Sequence, residues 1–437
     1  MWEEKLYDIF KECRVITTDS RDCPRGAMFF ALKGESFDGN KFATVALDKG
    51  CAYAVVDEKE YVVEGDTRYI LVDDVLTALQ TLANRHRQAF KGPVIQITGT
   101  NGKTTTKELV SAVLSRKYNV LFTQGNFNNH IGVPKTLLRL NDSHDIAVIE
   151  TGANHPGEIK ALADIVCPDC GLITNVGVAH IEGFGSFEGV MKTKGELYDN
   201  LRHKEGGFIF LNGDNEYLCG MAEGLKAYTY GRPGHGYMVE GEPTEGHSFL
   251  RLWWQSSEAD NERHEVETHL VGSYNIDNVL AAVCVGLKFG VAPCDIDNAL
   301  RDYVPTNNRS EMRETASNTL IVDAYNANPS SMKAALENFS TIISPHGRRK
   351  MVILGEMREL GEVSTKEHTK IISMLGKMNI DDVWLVGKEF KECAPPYRVF
   401  ENISEVEKEL RANPLSGRLI LIKGSNSTRL YRLPENL

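Results

Sequence analysis

The chain has 437 residues, 42% of them hydrophobic and 25% charged, with a formal net charge of -11. That balance suits a globular protein and excludes the broad basic surface that general nucleic-acid or anionic-membrane binding requires. No apolar run approaches a membrane span and Met1-Trp2-Glu3-Glu4-Lys5 lacks a signal-peptide pattern, so the expectation is a cytoplasmic protein without membrane insertion, built from about three domains.

Up to Phe90, short apolar runs alternate with helical ones. Residues 27–32 and 52–56 are predicted strands, 41–49 a short helix and 75–90 a longer one, a small α/β domain over 1–90. Its polar clusters, Thr18-Asp19-Ser20-Arg21 and Lys33-Gly34-Glu35 with Asp38-Gly39-Asn40, fit plain turns. Lys91-Gly92-Pro93 then breaks the pattern and opens a second domain, 91–305.

That domain begins with Val94-Ile95-Gln96-Ile97-Thr98-Gly99-Thr100-Asn101-Gly102-Lys103-Thr104-Thr105-Thr106. A β-branched run stops at a glycine-bearing turn, and 103–116 follows as a helix with apolar Leu109, Val110, Val113 and Leu114. Such a turn aims backbone N–H groups and the positive end of the helix dipole at one point, where a polyphosphate can sit. Lys103 would reach the outer phosphates and the Thr104 hydroxyl a magnesium ion. Ile97 stands where the general phosphate loop has its first glycine, so this is a tighter variant.

Strands over 120–122, 145–150, 170–176 and 207–211 alternate with helices, which predicts a largely parallel sheet with a ligand crevice at its carboxyl edge. Glu150, ending an apolar strand, is placed there as an acidic magnesium ligand. The loop Gln124-Gly125-Asn126-Phe127-Asn128-Asn129 faces the same edge, suited to carbonyl and hydroxyl recognition or to a simple turn. His180 lies in a glycine-rich loop, and alone it reads as structural. Cys167 and Cys170 have metal or redox spacing, but no second pair completes a four-thiolate site, and the nine scattered cysteines read as free thiols. On spacing alone Lys192 and Lys194 belong to a solvated helix face. Further strands are expected over 249–254 and 266–271. Asn275 and Asn278 open an alanine-rich helix, where they can meet a base edge or cap the helix.

Pro305-Thr306-Asn307-Asn308-Arg309 reads as a second linker into a third α/β unit, 306–437, with strands over 319–323, 351–354, 383–386 and 419–423. Ser364-Thr365-Lys366-Glu367 has capping-box spacing, predicting a helix that begins just after Ser364.

Together these pieces resemble the Mur ligase family along nearly the whole chain. The resemblance rests on Gly99-Thr100-Asn101-Gly102-Lys103-Thr104-Thr105, the stretch 126–134, Asp323-Ala324-Tyr325-Asn326-Ala327-Asn328-Pro329-Ser330, Leu354-Gly355-Glu356-Met357-Arg358-Glu359-Leu360-Gly361 and Lys423-Gly424-Ser425-Asn426. It departs at Tyr274, where the family often has histidine, and at Asn426, where arginine is commoner. The implied fold is α/β in three domains: a small N-terminal domain, a central phosphate-loop domain on a parallel sheet and a Rossmann-like C-terminal domain.

The implied activity is amide ligation driven by ATP with magnesium. A UDP-N-acetylmuramoyl-tripeptide carboxylate becomes an acyl phosphate and is joined to D-alanyl-D-alanine, a step of peptidoglycan precursor synthesis carried out by a monomer. By the same resemblance Gly99 to Thr105 bind ATP, Asn275, Asn278, Arg309 and Asp323 hold adenine, ribose and phosphate, and Glu150, His180 and a carbamylated Lys194 join Thr104 around magnesium. Ser20, Arg21, Lys33, Gly34 and Asp38 grip the UDP end, while Asn126, Asn128, Asn129, Tyr325, Asn326, Asn328, Lys423 and Ser425 contact substrate. A sibling ligase adding a single third amino acid and a folate polyglutamate ligase are the near alternatives, disfavoured by residues 323–330 and 354–361. A phosphate-loop hydrolase and a binding protein without turnover are alternatives of other classes.

Overall fold

The computed structural model describes residues 2–178, 181–244, 249–306, 308–344 and 347–437. Residues 16–71 supply β1 (Ile16–Thr17), β2 (Met28–Phe30), β3 (Lys33–Gly34), β4 (Phe37–Asp38), β5 (Tyr53–Val56) and β6 (Tyr69–Leu71). All but β3 and β4 join one parallel sheet in the order β1-β2-β5-β6, and β3 with β4 makes an antiparallel hairpin.

The central sheet has nine strands: β7 (Val94–Thr98), β8 (Val120–Phe122), β9 (Ile146–Glu150), β10 (Cys170–Ile173), β11 (Phe208–Asn212), β12 (Lys226–Gly231), β13 (Val239–Thr244), β14 (Phe249–Ser256) and β15 (His264–Val271). Their order is β15-β14-β13-β12-β11-β10-β7-β9-β8, parallel from β13 to β8, with β14 antiparallel to both its neighbours. Strands β7, β9 and β10 are covered on both faces, which is why they read as unbroken apolar runs. Sequence reasoning passed over β12 and β13 because Lys226, Glu240, Glu242 and Pro243 interrupt any apolar pattern there.

A third sheet comprises β16 (Glu311–Glu314), β17 (Thr319–Asp323), β18 (Arg349–Gly355), β19 (Asp382–Val386), β20 (Arg398–Phe400) and β21 (Arg418–Lys423), in the order β16-β17-β21-β18-β19-β20. Only β16, at the edge, runs antiparallel to its neighbour.

The helix Lys103–Leu114 packs on Ile276–Lys288, in which every residue from Ile276 to Gly286 except Asp277 is buried. On the other face, Leu6, Phe10, Leu79 and Leu82 of the N-terminal segment share one apolar cluster with Val133, Leu137, Ile149 and Leu162 of the central sheet's layer. Arg87 bolts that junction: Nε donates to the Val166 carbonyl at 3.0 Å and Nη2 to the Cys167 carbonyl at 3.0 Å and to Asp169 at 2.7 Å. The C-terminal sheet has its own clusters, to which Val271 and Phe249 of the central sheet contribute.

The expected capping box at Ser364 does not form. A 3-10 turn, Gly361–Val363, runs directly into the helix Ser364–Leu375, so Ser364 is already helical and its hydroxyl goes to the Glu389 carboxylate instead. The box lies at Asn328, whose side chain accepts from the Ser331 amide while Ser331 Oγ accepts from the Asn328 amide, opening the helix Pro329–Thr341. Cys170 is a buried β10 residue and Cys167 closes the helix Glu158–Val166 in the left-handed region, with φ 44.

His264 on β15 stacks on Trp254 with ring centroids 4.1 Å apart, and its Nδ1 lies 2.7 Å from Asp297, which also accepts from Trp254 Nε1 at 2.8 Å. Burial opposes a charged ring, but hydrogen bonds to Asp297 and Asp260 outweigh it and raise the pKa. A raised folded-state pKa stabilises the protein at low pH and ceases to do so above that pKa. His264→Gln is therefore expected to cost about 1.5–3 kcal/mol below roughly pH 6, with the difference narrowing as pH rises through the folded-state pKa, measured by urea unfolding.

Candidate functional site

The phosphate loop leaves β7 at the carboxyl edge of the sheet, where a cleft of about 640 Å³ opens between the central and C-terminal domains. Gly99 has φ +142, and a Cβ there would fall 2.0 Å from Thr174 Oγ1; Gly102 has φ +77, and a Cβ would fall 2.5 Å from Asn278 Oδ1. Both positions therefore require glycine. The loop's main chain is held from outside itself. Asn175 Oδ1 accepts from the Asn101 amide at 3.0 Å, Asn175 Nδ2 donates to the Asn101 carbonyl at 3.1 Å, and Thr174 Oγ1 donates to that carbonyl at 2.6 Å. β10 ends at Ile173 rather than Val176, but the main-chain pairing runs on into the loop: the Thr174 amide donates to the Thr98 carbonyl and the Thr100 amide to the Asn175 carbonyl, both at 2.9 Å, while the two side chains grip Asn101.

Lys103 Nζ curls back to donate to the carbonyls of Gly99 at 2.9 Å and Thr100 at 3.1 Å, and burial lowers its pKa against the attraction of Glu150. Glu150 is 1% exposed. Its Oε1 accepts from Thr104 Oγ1 at 3.1 Å and Asn128 Nδ2 at 2.9 Å, whereas Oε2 is buried with no partner among the described residues. An orphaned carboxylate oxygen beside a hydroxyl is a hard-oxygen donor set that fits a magnesium ion. Among the described residues no three His, Cys, Asp or Glu converge.

Lys194 corrects the solvated-face expectation. It is 2% exposed, with Nζ 5.3 Å from the Phe184 ring centroid, while Lys192 is exposed. Burial and the neighbouring Lys103 charge bring its pKa down to about 7, against the pull of Glu158 and Glu196. His180 lies outside the described residues.

The cleft wall also includes Asn126, Asn128, Asn129, Asn275, Asn278, Arg309, Asp323, Tyr325, Asn326 and Lys423. Asn275 and Asn278 do not cap their helix. Asn278 Nδ2 donates to Asn275 Oδ1 at 2.9 Å, Thr106 Oγ1 donates to Asn278 Oδ1 at 2.9 Å, and Asn275 Nδ2 donates to the Val271 carbonyl at 3.0 Å. Arg309 lies 3.9 Å over the Tyr325 ring, its buried Nε without a hydrogen-bond partner among the described residues, and Lys423 pairs with Asp323 at 2.5 Å. Asn129 Oδ1 accepts from the Gly132 amide at 2.8 Å, the turn chemistry its type suggests.

Other expected residues stand apart from this cleft. Arg21 pairs with Asp19 at 2.7 Å, and the Ser20 carbonyl accepts from Lys49. Lys33 pairs with Asp57 at 2.9 Å and Glu58 at 2.7 Å, Gly34 lies under the Phe37 ring, and Asp38 accepts from the Asn40 amide. Ser425 Oγ donates to the Glu356 carbonyl at 3.1 Å. Asn328, by contrast, is buried at the cleft's edge, where its Nδ2 donates to Asn101 Oδ1 at 2.7 Å. Sequence reasoning missed Thr174 and Asn175. Their signal was polar residues at the tail of an apolar run, where a buried strand has no use for them.

Asn175→Ala removes two bonds from the loop without touching a phosphate-facing group. ADP affinity is expected to fall about 10-fold by titration calorimetry, with thermal stability nearly unchanged.

Residues 12–87 match the Mur ligase family catalytic domain, 97–286 the Mur ligase middle domain and 308–426 the Mur ligase glutamate ligase domain. The UDP-N-acetylmuramoyl-tripeptide--D-alanyl-D-alanine ligase of Bacillus subtilis is 35% identical over 97% of this chain and 92% of its own length. The enzyme of that name from Escherichia coli is 32% identical over 97% and 93%. Among solved structures, MurF from Acinetobacter baumannii superposes with a TM-score of 0.87 at 28% identity, covering 99% of this chain and 98% of that one. The MurF ligase of Thermotoga maritima, solved in complex with ADP, gives 0.85 at 26% identity over 98% and 97%. A phosphate loop set against a C-terminal α/β domain, matched from end to end, makes this chain a member of the Mur ligase family.

Proposed function

We propose that this chain joins the amine of D-alanyl-D-alanine to the terminal carboxylate of UDP-N-acetylmuramoyl-tripeptide, converting ATP to ADP and phosphate. The observation that carries the proposal is the cleft itself. One wall is a phosphate loop beside a buried carboxylate oxygen that has no partner among the described residues, and the other is the Asp323 to Ser330 segment with Lys423. Full-length likeness to relatives bearing that enzyme name supports the choice of substrates.

A carboxylate is a poor electrophile, so amide formation needs it activated. Transfer of the ATP γ-phosphoryl group to a carboxylate oxygen gives an acyl phosphate; the amine attacks its carbonyl carbon, and the tetrahedral intermediate expels phosphate. Lys103 leaves the Gly99 and Thr100 carbonyls to follow the transferring phosphoryl charge. Thr104, Glu150 and Lys194, with His180 by family resemblance, would hold magnesium, which supplies charge neutralisation between the phosphates. A neutral Lys194 amine adds to carbon dioxide, releases one proton and becomes a carbamate anion, turning a cation beside Lys103 into an oxygen donor. The UDP-linked substrate supports a cytoplasmic location.

The test is product analysis by mass spectrometry with ATP, the tripeptide and D-alanyl-D-alanine. A product heavier by the dipeptide less water, absent in Lys103→Ala, is expected. Addition of a single amino acid instead would favour a sibling ligase, and ADP without peptide product would favour a hydrolase. Lys194→Ala is expected to lose about 100-fold in rate and to regain part of it with added short-chain carboxylic acids; unaltered activity in that variant would remove the carbamate role.

A further inference from the structure

Asn101 makes a second set of bonds that phosphate binding does not require. Its main chain is held by Thr174 and Asn175, but its side chain crosses to the C-terminal domain. Asn101 Nδ2 donates to Ser330 Oγ at 2.9 Å, and Asn101 Oδ1 accepts from Asn328 Nδ2 at 2.7 Å. Ser330 Oγ donates in turn to Asn328 Oδ1 at 2.9 Å. The three side chains thus close a ring in which each both donates and accepts.

The ring is rigid on both sides. Asn328, 4% exposed, also accepts from the Ser331 amide at 2.9 Å and so belongs to the N-terminus of the helix Pro329–Thr341. On the central side, a Cβ at Gly177 would lie 3.1 Å from Ser330 Oγ, so the glycine leaves just the room Ser330 occupies. Local support of the loop is no reason for this ring, because the loop is already anchored by its own sheet.

We propose that Asn101, Asn328 and Ser330 form a latch that docks the C-terminal domain onto the phosphate loop, with Asn101 a positioning residue rather than a phosphate ligand. The latch aligns the C-terminal wall, and the amine substrate it holds, with the carboxylate activated at the loop. It rests on the ligase function above. A ring of hydrogen bonds, made and broken as the domains close and open, sets the population of the closed form and hence the turnover number.

Ser330→Ala in the full chain removes one donor and one acceptor without altering the loop. The expected result is a kcat about 5- to 20-fold lower, ADP affinity within roughly twofold of the parent, and a larger radius of gyration by small-angle scattering with nucleotide and tripeptide bound. Ser330→Thr, which keeps the hydroxyl, is expected to restore most of the loss. Gly177→Ala, which crowds Ser330 from the central side, is expected to lower kcat in the same direction. An unchanged kcat and scattering curve in Ser330→Ala would overturn the latch, and so would a loss of ADP affinity as large as the loss of kcat. A wild-type protein yielding no peptide product defeats the ligase function instead, and the scattering comparison then decides the latch by itself.

Discussion

A loop that offers its backbone N–H groups to phosphate cannot use those groups to hold itself together. Its shape must come from neighbours, and here it comes from Thr174 and Asn175 at the end of β10. Asn175 imitates a strand partner with its side-chain amide, bonding both the amide and the carbonyl of Asn101. Everything at the site follows from that grip: the left-handed turns at Gly99 and Gly102, the direction of the helix Lys103–Leu114, and the approach of Asn278 to the space a Gly102 side chain would fill. The parallel sheet's role is to bring two adjacent carboxyl ends, those of β7 and β10, within reach of one another.

The protein is acidic as a whole, yet its cleft must gather a triphosphate and a carboxylate. It does so with few charges, Glu150 and Lys194 buried and Lys103 and Arg309 half-buried. Lys103 and Glu150 face the same space, Arg309 adds a second cation, and Lys194 lies close enough to Lys103 that the two resist being charged together. Burial and the neighbouring Lys103 charge together bring the Lys194 pKa down to about 7. The consequence is a lysine whose chemistry at neutral pH is that of an amine. The extra charge that makes it unwelcome as a cation is the charge that the phosphates later meet.

What could be read from the residues was whatever depended on near neighbours. Strand, loop and helix around Gly99 to Thr105 declared themselves, as did the apolar runs of β7, β9 and β10, and Glu150 was marked by being the acid that ends such a run. Lys194 was legible in part: it lies in the buried stripe of Val190, Leu197, Tyr198 and Leu201 on its own helix, a pattern that argues against solvent. Strands β12 and β13 were hidden because half-exposed strands carry no apolar signature. Ser364 misled because a preceding 3-10 turn moved the helix start past it. No local pattern could reveal that Asn101 pairs with residues more than two hundred positions away, or that Asn275 and Asn278 turn their amides on each other. The N-terminal polar clusters lie apart from the cleft, bonded partly within their own turns and partly to Lys49, Asp57 and Glu58.

The sheets divide the chain into three, but the apolar interior does not. Leu6, Phe10, Leu79 and Leu82 close the same cluster as Val133, Leu137, Ile149 and Leu162, with Arg87 clamping the seam, whereas the C-terminal sheet carries clusters nearly its own. Cooperativity follows shared interior rather than shared hydrogen-bond ladders. The first two sheets are therefore coupled through that shared cluster, and a cut at Lys91 would leave each piece with its share of it turned toward water.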